Sequence, residues 1–157
     1  MDRLRGRGHG GAGGAIPQHV SPELRARLTA LESQAAERSV PVADADLVIR
    51  TLADMGLELA VVTGCDPYPA TAYLRRRGLL DCLHGGVHGR EGVYSPRMPD
   101  PHVVSRALRH LGVRPSKCLM VGATEAEGAA ARQADIPFFD VSGEPGLRPL
   151  LEAARTL

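Results

Sequence analysis

Two short apolar runs, each ending at a glycine and each followed by a helical pattern, constrain the fold of this chain most strongly. They read LELAVVTG, residues 57–64, and KCLMVG, residues 117–122. Largely apolar runs of this length are typical of parallel strands that are covered by helices on both faces. The pattern therefore predicts an α/β domain with a parallel sheet, in which residues 57–63 and 117–121 are strands.

Helical and further strand patterns alternate with these two runs. Ser21 is expected to cap a first helix that ends near Arg38, because Pro22 and Glu23 follow in its first turn. Asp44 or Asp46 is expected to cap a second helix. The other predicted helices cover about 67–77, 99–113 and 124–134, with a last one ending near 155, and the other predicted strands lie in 81–87 and 136–141.

Composition excludes several classes of partner. The chain has 157 residues, 43% of them hydrophobic, and a formal net charge of +1. That charge predicts no binding to nucleic acid and no attraction to an anionic membrane. Three separated cysteines, and the lack of an apolar run of about 18 residues, favour a reduced, cytoplasmic location. Residues 1–16 are Arg- and Gly-rich and are expected to be a disordered tail.

From about residue 20 onward, the order of elements resembles the haloacid dehalogenase superfamily, especially its phosphoglycolate phosphatase-type hydrolases. Three segments carry the resemblance: LAVVTGCD at 59–66, MPDPHVVSRALRHLGVRPSKCLMVG at 98–122 and AEGAAARQADIPFF at 126–139. The resemblance implies a Rossmann-type parallel sheet with helices on both faces, and a phosphatase-like activity that requires Mg²⁺ in active relatives. It also implies that residues 17–44 are the remnant of a helical cap and that residues 45–157 are the core.

The aspartate nucleophile implied by the resemblance has no clear counterpart. The family places two aspartates, one residue apart, after the first strand, where this chain has its glycine-rich tail. Asp44 and Asp46 copy the letters of that motif. However, Asp44 precedes Thr63 by only 19 residues, too few for a flap, a crossover helix and a strand. Both acids are explained by helix capping, and they remain only weak catalytic candidates.

The second and third motifs of the family are matched in part. Thr63 and Gly64 lie where the family binds the phosphoryl group, although Thr63 would equally suit the cap of the next helix. The family lysine is replaced at PRMPDP by Met98. Arg97 is the neighbouring cation and a weak candidate for the lysine's role, but a planar guanidinium does not reproduce a compact ammonium group.

The fourth motif of the family is an acidic pair that holds Mg²⁺. Here Ala123 stands at the first acid and Glu127 at the second. Because Mg²⁺ requires a tight octahedron of oxygen ligands, we expect no useful binding and no cofactor, with Glu127 the one weak metal candidate. A zinc site formed by Cys82, His84 and His88 is a weaker alternative, since no fourth ligand is evident.

These substitutions favour a catalytically degenerate relative with a binding or scaffold role. Two alternatives stay open. One is an active phosphatase-type hydrolase of small phosphate esters that uses Asp44, Asp46, Thr63, Arg97 and Glu127. The other is a regulatory module that binds phosphate or another anion at Thr63 and Gly64 without chemistry.

The missing first strand has a structural consequence. In the family it is the centre of the sheet, between the strands expected here at 57–63 and 117–121. Unpaired backbone groups are costly in a dry interior, so we expect the gap to be closed. The two strands would pair directly, a tail segment such as GAIPQHV at 14–20 would insert, or a second chain, for instance in a homodimer, would supply the strand.

Overall fold

The computed structural model describes residues 21–91, 101–143 and 146–155 of the chain. Within these ranges helices alternate with short parallel strands, so the predicted α/β class is confirmed. The helices are α1 (Pro22–Arg38), α2 (Ala45–Asp54), α3 (Pro67–Arg76), α4 (Pro101–Leu111), α5 (Glu125–Gln133) and α6 (Pro149–Ala154), and the strands are β1 (Val61–Val62), β2 (Val87–His88), β3 (Met120–Gly122) and β4 (Phe138–Asp140).

Local capping signals place the helix ends. The Ser21 hydroxyl accepts a hydrogen bond from the Leu24 amide at 3.2 Å, so α1 begins as predicted. Gly56, with φ of +80°, follows α2 in the left-handed conformation that glycine adopts at low cost. Asp44 occupies the N-cap position of α2, but its side chain makes no capping hydrogen bond.

The strands form two separate parallel pairs in the described part of the chain. β1 pairs with β2, aligning Val61 with Val87, and β3 pairs with β4, aligning Met120 with Phe138. β1 and β3 do not pair with each other. The prediction that the segments at 57–63 and 117–121 pair directly and so close the sheet is therefore wrong.

Helices cover both faces of the strands and join the two pairs. On one face, a buried cluster from α2 and α6 packs against residues of both strand runs, including Leu59 and Val121. On the other face, a cluster from α4 and α5 packs against Val62 and Met120. A third cluster, around Leu79, holds α3 beside β1 and β2. The two strand pairs are thus held together mainly by helices.

Helix α1 lies outside this core. It has no buried residue and contacts α3 and the loop that follows β1. The predicted helix at 21–38 is confirmed, while its descent from a cap remains a prediction. The tail predicted at 1–16 lies outside the described residues. Among the residues that the structure describes, no helix has both the length and the apolar character needed to cross a membrane.

Candidate functional site

The turn after β1 carries the two predicted phosphate-binding residues. The Thr63 hydroxyl accepts a hydrogen bond from the Cys65 amide at 3.2 Å, which closes the turn. Thr63 does not cap α3, because Asp66 takes that role and accepts from the Tyr68 amide at 2.9 Å. The structure therefore places Thr63 and Gly64 together at the carboxyl end of β1, where parallel α/β sheets hold their ligands.

An ion pair between Glu32 of α1 and Arg90 covers this turn. The Arg90 guanidinium donates to Glu32 at 2.8 Å, and each side chain is only 12% exposed. Arg90 also donates to the carbonyl of Gly64 at 3.4 Å. The second oxygen of the Glu32 carboxylate accepts from the Asp66 amide at 3.0 Å. One cation and one carboxylate therefore stand directly over the Thr63–Gly64 turn.

Sequence analysis did not identify Glu32 or Arg90. The signal in the sequence is the glycine at position 89, directly before Arg90. In the structure Gly89 follows β2, and a side chain there would collide with the carbonyl oxygen of Cys65. That contact shows how closely the end of β2 approaches the turn after β1. Arg90, the next residue, is therefore placed beside this turn.

The charge of Glu32 also acts on the neighbouring thiol. Partial burial, followed by the negative charge of Glu32, raises the pKa of Cys65. Because the thiolate is the reactive form of cysteine, the environment of the turn suppresses nucleophilic chemistry at this sulfur.

A second arginine reaches the same edge from α4. Arg106 donates to the carbonyl of Gly89 and forms an ion pair with Glu91. Both arginines described at this edge are therefore balanced by glutamates, so the edge does not present a free cationic patch to an anion.

The turn after β3 is closed by the side chain of Glu127. Its carboxylate accepts from the amides of Ala123 at 2.8 Å and Thr124 at 3.0 Å, while the Thr124 hydroxyl accepts from the Glu127 amide at 3.3 Å. This reciprocal pattern is a capping box at the start of α5. Gly122 permits it, since a side chain there would strike Glu127.

The residues at this turn do not fit Mg²⁺. Ala123 has no side-chain oxygen, and one carboxylate oxygen of Glu127 already accepts from two amides. Within the described ranges, no three His, Cys, Asp or Glu side chains are grouped as metal ligands would be. Such a site would lack the oxygen ligands that Mg²⁺ requires.

The two candidate aspartates are each engaged in an ion pair. Asp46 forms a bidentate ion pair with Arg77 at 2.7 and 2.9 Å, which raises the pKa of Arg77. Asp44 pairs with Arg148 at 2.8 Å. Arg77 lies beyond the far end of α3, a helix about 15 Å long. Arg97 and Met98 lie outside the described residues.

The residues of the alternative zinc site have other partners. His88 contacts the carbonyl oxygen of Gly85 at 2.7 Å, and His84 lies 3.7 Å from the carboxylate of Glu58. Cys82 closes a short 3₁₀ turn.

Comparisons with known proteins relate the chain to one group of hydrolases. The sequence profile of the haloacid dehalogenase-like hydrolase family matches residues 12–135. A phosphoglycolate phosphatase of Rhodospirillum rubrum is 34% identical over 95 residues, which are 60% of this chain and 39% of that protein.

Two solved structures share the fold. A HAD-superfamily hydrolase from Ehrlichia chaffeensis superposes with a TM-score of 0.60 at 18% identity, over 73% of this chain and 58% of that one. A HAD-superfamily hydrolase of subfamily IA, variant 1, from Geobacter sulfurreducens gives a TM-score of 0.60 at 23% identity, over 69% and 54%. The chain thus spans between two fifths and three fifths of the length of these relatives.

Proposed function

Because this chain belongs to the haloacid dehalogenase-like hydrolase family, we propose that it is a catalytically degenerate member that binds rather than hydrolyses. The observation that supports this most directly is the turn after β3. There Ala123 supplies no side-chain oxygen, and one oxygen of the Glu127 carboxylate already accepts from the amides of Ala123 and Thr124.

The turn after β1 supports the same proposal. Displacement at phosphorus needs a nucleophile and a positive charge that stabilises the transferring group. Asp44 and Asp46, the described carboxylates that copy the family motif, are engaged by Arg148 and Arg77. Arg90, a cation beside the turn after β1, is paired with Glu32. Each of these three candidate groups is thus already held in an ion pair.

Hydrolysis of p-nitrophenyl phosphate and of 2-phosphoglycolate with Mg²⁺ tests this proposal. Loss of several groups of one catalytic constellation costs about 10⁴–10⁶ in rate. We therefore expect no turnover above that of the Thr63→Ala variant. Thr51→Ala, the same substitution on the exposed side of α2, is the matched control. Mg²⁺-dependent hydrolysis that persists in Thr51→Ala and disappears in Thr63→Ala would establish an active phosphatase instead.

The guanidinium of Arg90, 3.4 Å from the carbonyl of Gly64, favours anion binding as a second candidate function. An anion at Thr63 and Gly64 would compete with Glu32 for Arg90, so we expect weak binding. Thermal melts in inorganic phosphate measure it, because a ligand of the native state raises the melting temperature. Glu32→Gln should increase the shift and Arg90→Met should abolish it. Equal shifts of the melting temperature in the unsubstituted protein, in Glu32→Gln and in Arg90→Met would contradict a site at this turn.

A further inference from the structure

Helix α1 is joined to the rest of the described chain by polar contacts rather than by a buried apolar face. It contributes no buried side chain, and its Leu24 and Leu31 are 52% and 55% exposed. Most of the stability of a helix in a globular protein comes from packing an apolar face. The docking of α1 therefore depends on the hydrogen bonds and the ion pair that it makes.

These polar contacts converge on the turn after β1. The Thr29 hydroxyl donates to the carboxylate of Asp66 at 3.3 Å. About one helical turn later, Glu32 accepts from the Asp66 amide at 3.0 Å through one oxygen and from the Arg90 guanidinium at 2.8 Å through the other. In the described part of the chain, α1 is thus held at the turn for which anion binding is proposed.

The carboxylate of Glu32 occupies the position that an external anion would need. Each of its two oxygens already has a donor, and the side chains of Glu32 and Arg90 are each only 12% exposed. The Arg90 guanidinium also lies 3.4 Å from the carbonyl of Gly64, so an anion bound beside Gly64 would meet it. Glu32 is therefore an internal ligand of the anion site.

A phosphate ion at this turn is incompatible with docked α1. Phosphate has four oxygens, whereas the space beside Arg90 is already filled by one carboxylate. The negative charges of phosphate and of Glu32 would repel each other, and water screens this repulsion only weakly in a nearly buried site. Phosphate that displaces Glu32 also breaks the contacts with Asp66 and Arg90 that hold the helix.

The connection between α1 and α2 is suited to a movement of the helix. Residues 39–43 are exposed, and Val40 is 88% exposed. The carbonyl of Ala43 accepts from the Leu147 amide at 3.4 Å, which anchors the connection to the core just before α2 begins. Rotation about residues 39–42 would therefore release α1 from the turn without moving the buried side chains of α2.

We propose that α1 is an autoinhibitory latch. When docked, it fills the anion site with Glu32, and when undocked, it leaves Arg90 and the Asp66 amide to an external oxyanion. The proposal rests on the anion-binding role proposed above and adds its regulation. The observed affinity for the anion is then the intrinsic affinity multiplied by the fraction of molecules in which α1 is undocked. By the same linkage, bound anion favours release of α1.

Thr29→Val tests the latch, because valine has nearly the shape of threonine but cannot donate to Asp66. Loss of this hydrogen bond should raise the undocked fraction, and with it the affinity for inorganic phosphate, by about fivefold. Thr51→Val is the matched control, since the Thr51 hydroxyl bonds to the Leu47 carbonyl within α2, and it should leave the affinity unchanged. The affinity is measured on the full chain by NMR titration of the Gly64 amide.

Hydrogen exchange measured by mass spectrometry provides the reciprocal readout. Phosphate near saturation should quicken amide exchange across α1, residues 22–38, and should not quicken it in the core helices α2 and α5. A ligand that only stabilises the native state slows exchange or leaves it unchanged, so faster exchange confined to α1 is specific to the latch. In Arg90→Met, phosphate should have no effect on exchange in α1.

Two results would overturn the proposal, and they differ in what they mean for anion binding. The first is phosphate that binds the unsubstituted chain and Thr29→Val with equal affinity and slows exchange in α1. This result would leave the anion site in place and remove the latch. The second is phosphate that binds neither protein, which would remove the anion site together with the latch.

Discussion

At the scale of single residues, the pair of Glu32 and Arg90 is a nearly buried contact outside the core. Each side chain is 12% exposed and each makes a further hydrogen bond to the backbone beside Thr63. Removing one member of a nearly buried pair leaves the other charge without a partner and away from water. This lowers the free energy of unfolding far more than the loss of a pair at the surface.

We predict that Arg90→Met lowers the free energy of unfolding by about 3 kcal/mol, because Glu32 is left nearly buried and unpaired. The double variant Glu32→Met with Arg90→Met should lose less free energy of unfolding than Arg90→Met alone, because no charge is left unpaired. Urea denaturation measures both. Arg148→Met is the matched control, since Arg148 is 68% exposed in its pair with Asp44 and should cost less than about 1 kcal/mol. Similar small losses in all three variants would contradict the prediction.

The thiol of Cys65 provides a pH-dependent test of the same charge. Burial and then Glu32 raise its pKa, so less thiolate is present at a given pH, and alkylation should reach half its maximal rate above pH 9. Glu32→Gln removes the charge and should move this midpoint to lower pH. The measurement is the iodoacetamide rate against pH in a variant that retains Cys65 and carries Cys82→Ser and Cys118→Ser. An unchanged midpoint in Glu32→Gln would exclude Glu32 as a cause.

At the scale of elements, the helices differ in what their caps stabilise. Thr124 and Glu127 cap α5, which contributes the fully buried Ala130 and Ala131 to the core. Ser21 caps α1, which has no buried residue. Loss of the cap of α5 should therefore destabilise the whole fold, whereas loss of the cap of α1 should destabilise only that helix.

We predict that Thr124→Ala lowers the free energy of global unfolding by about 1 kcal/mol. Ser21→Ala should leave the global value nearly unchanged and instead quicken amide exchange in the first turn of α1. The urea midpoint and hydrogen exchange distinguish the two effects. Equal shifts of the urea midpoint would mean that α1 unfolds together with the core.

The elements that were predicted best are those determined by neighbouring residues. The start of α1 follows from Ser21, Pro22 and Glu23, and the end of α2 follows from Gly56, without reference to the rest of the chain. The ladder of β1 comprises only Val61 and Val62 of the predicted 57–63, because a strand is defined by its partners. On the side opposite β2, β1 has none in the described residues.

The site was predicted in part for the same reason. Thr63 and Ala123 were found because each directly follows an apolar run. The contact of Glu32 with Arg90 joins residues 58 positions apart, and no local pattern encodes such a distance. Asp44 was expected to cap α2, but its pairing with Arg148, 104 positions away, was not visible in the sequence.

At the scale of the whole molecule, the two strand pairs depend on shared helices. The cluster of Val48, Leu52, Leu150 and Ala154 touches both strand runs, whereas the cluster of Leu74, Leu79 and Leu83 touches β1 and β2 but neither β3 nor β4. Whether the halves unfold together therefore depends on this cluster and on the cluster from α4 and α5, which packs against Val62 and Met120.

We predict a single cooperative unfolding transition. Leu83→Ala should cost about 3 kcal/mol and should quicken amide exchange in β3 and β4 as much as in β1 and β2, although Leu83 belongs to the β1–β2 cluster. Hydrogen exchange measured by mass spectrometry follows both pairs at once. Faster exchange confined to β1 and β2 would show that the halves open independently.

The open edges of β1 and β3 also have a consequence for how these molecules behave at high concentration. Open strand edges usually recruit further edges and propagate into fibres. Here the edges of β1 and β3 that point away from β2 and β4 face a cavity with helices on both of its faces. These helices hinder edge-to-edge growth at this part of the molecule.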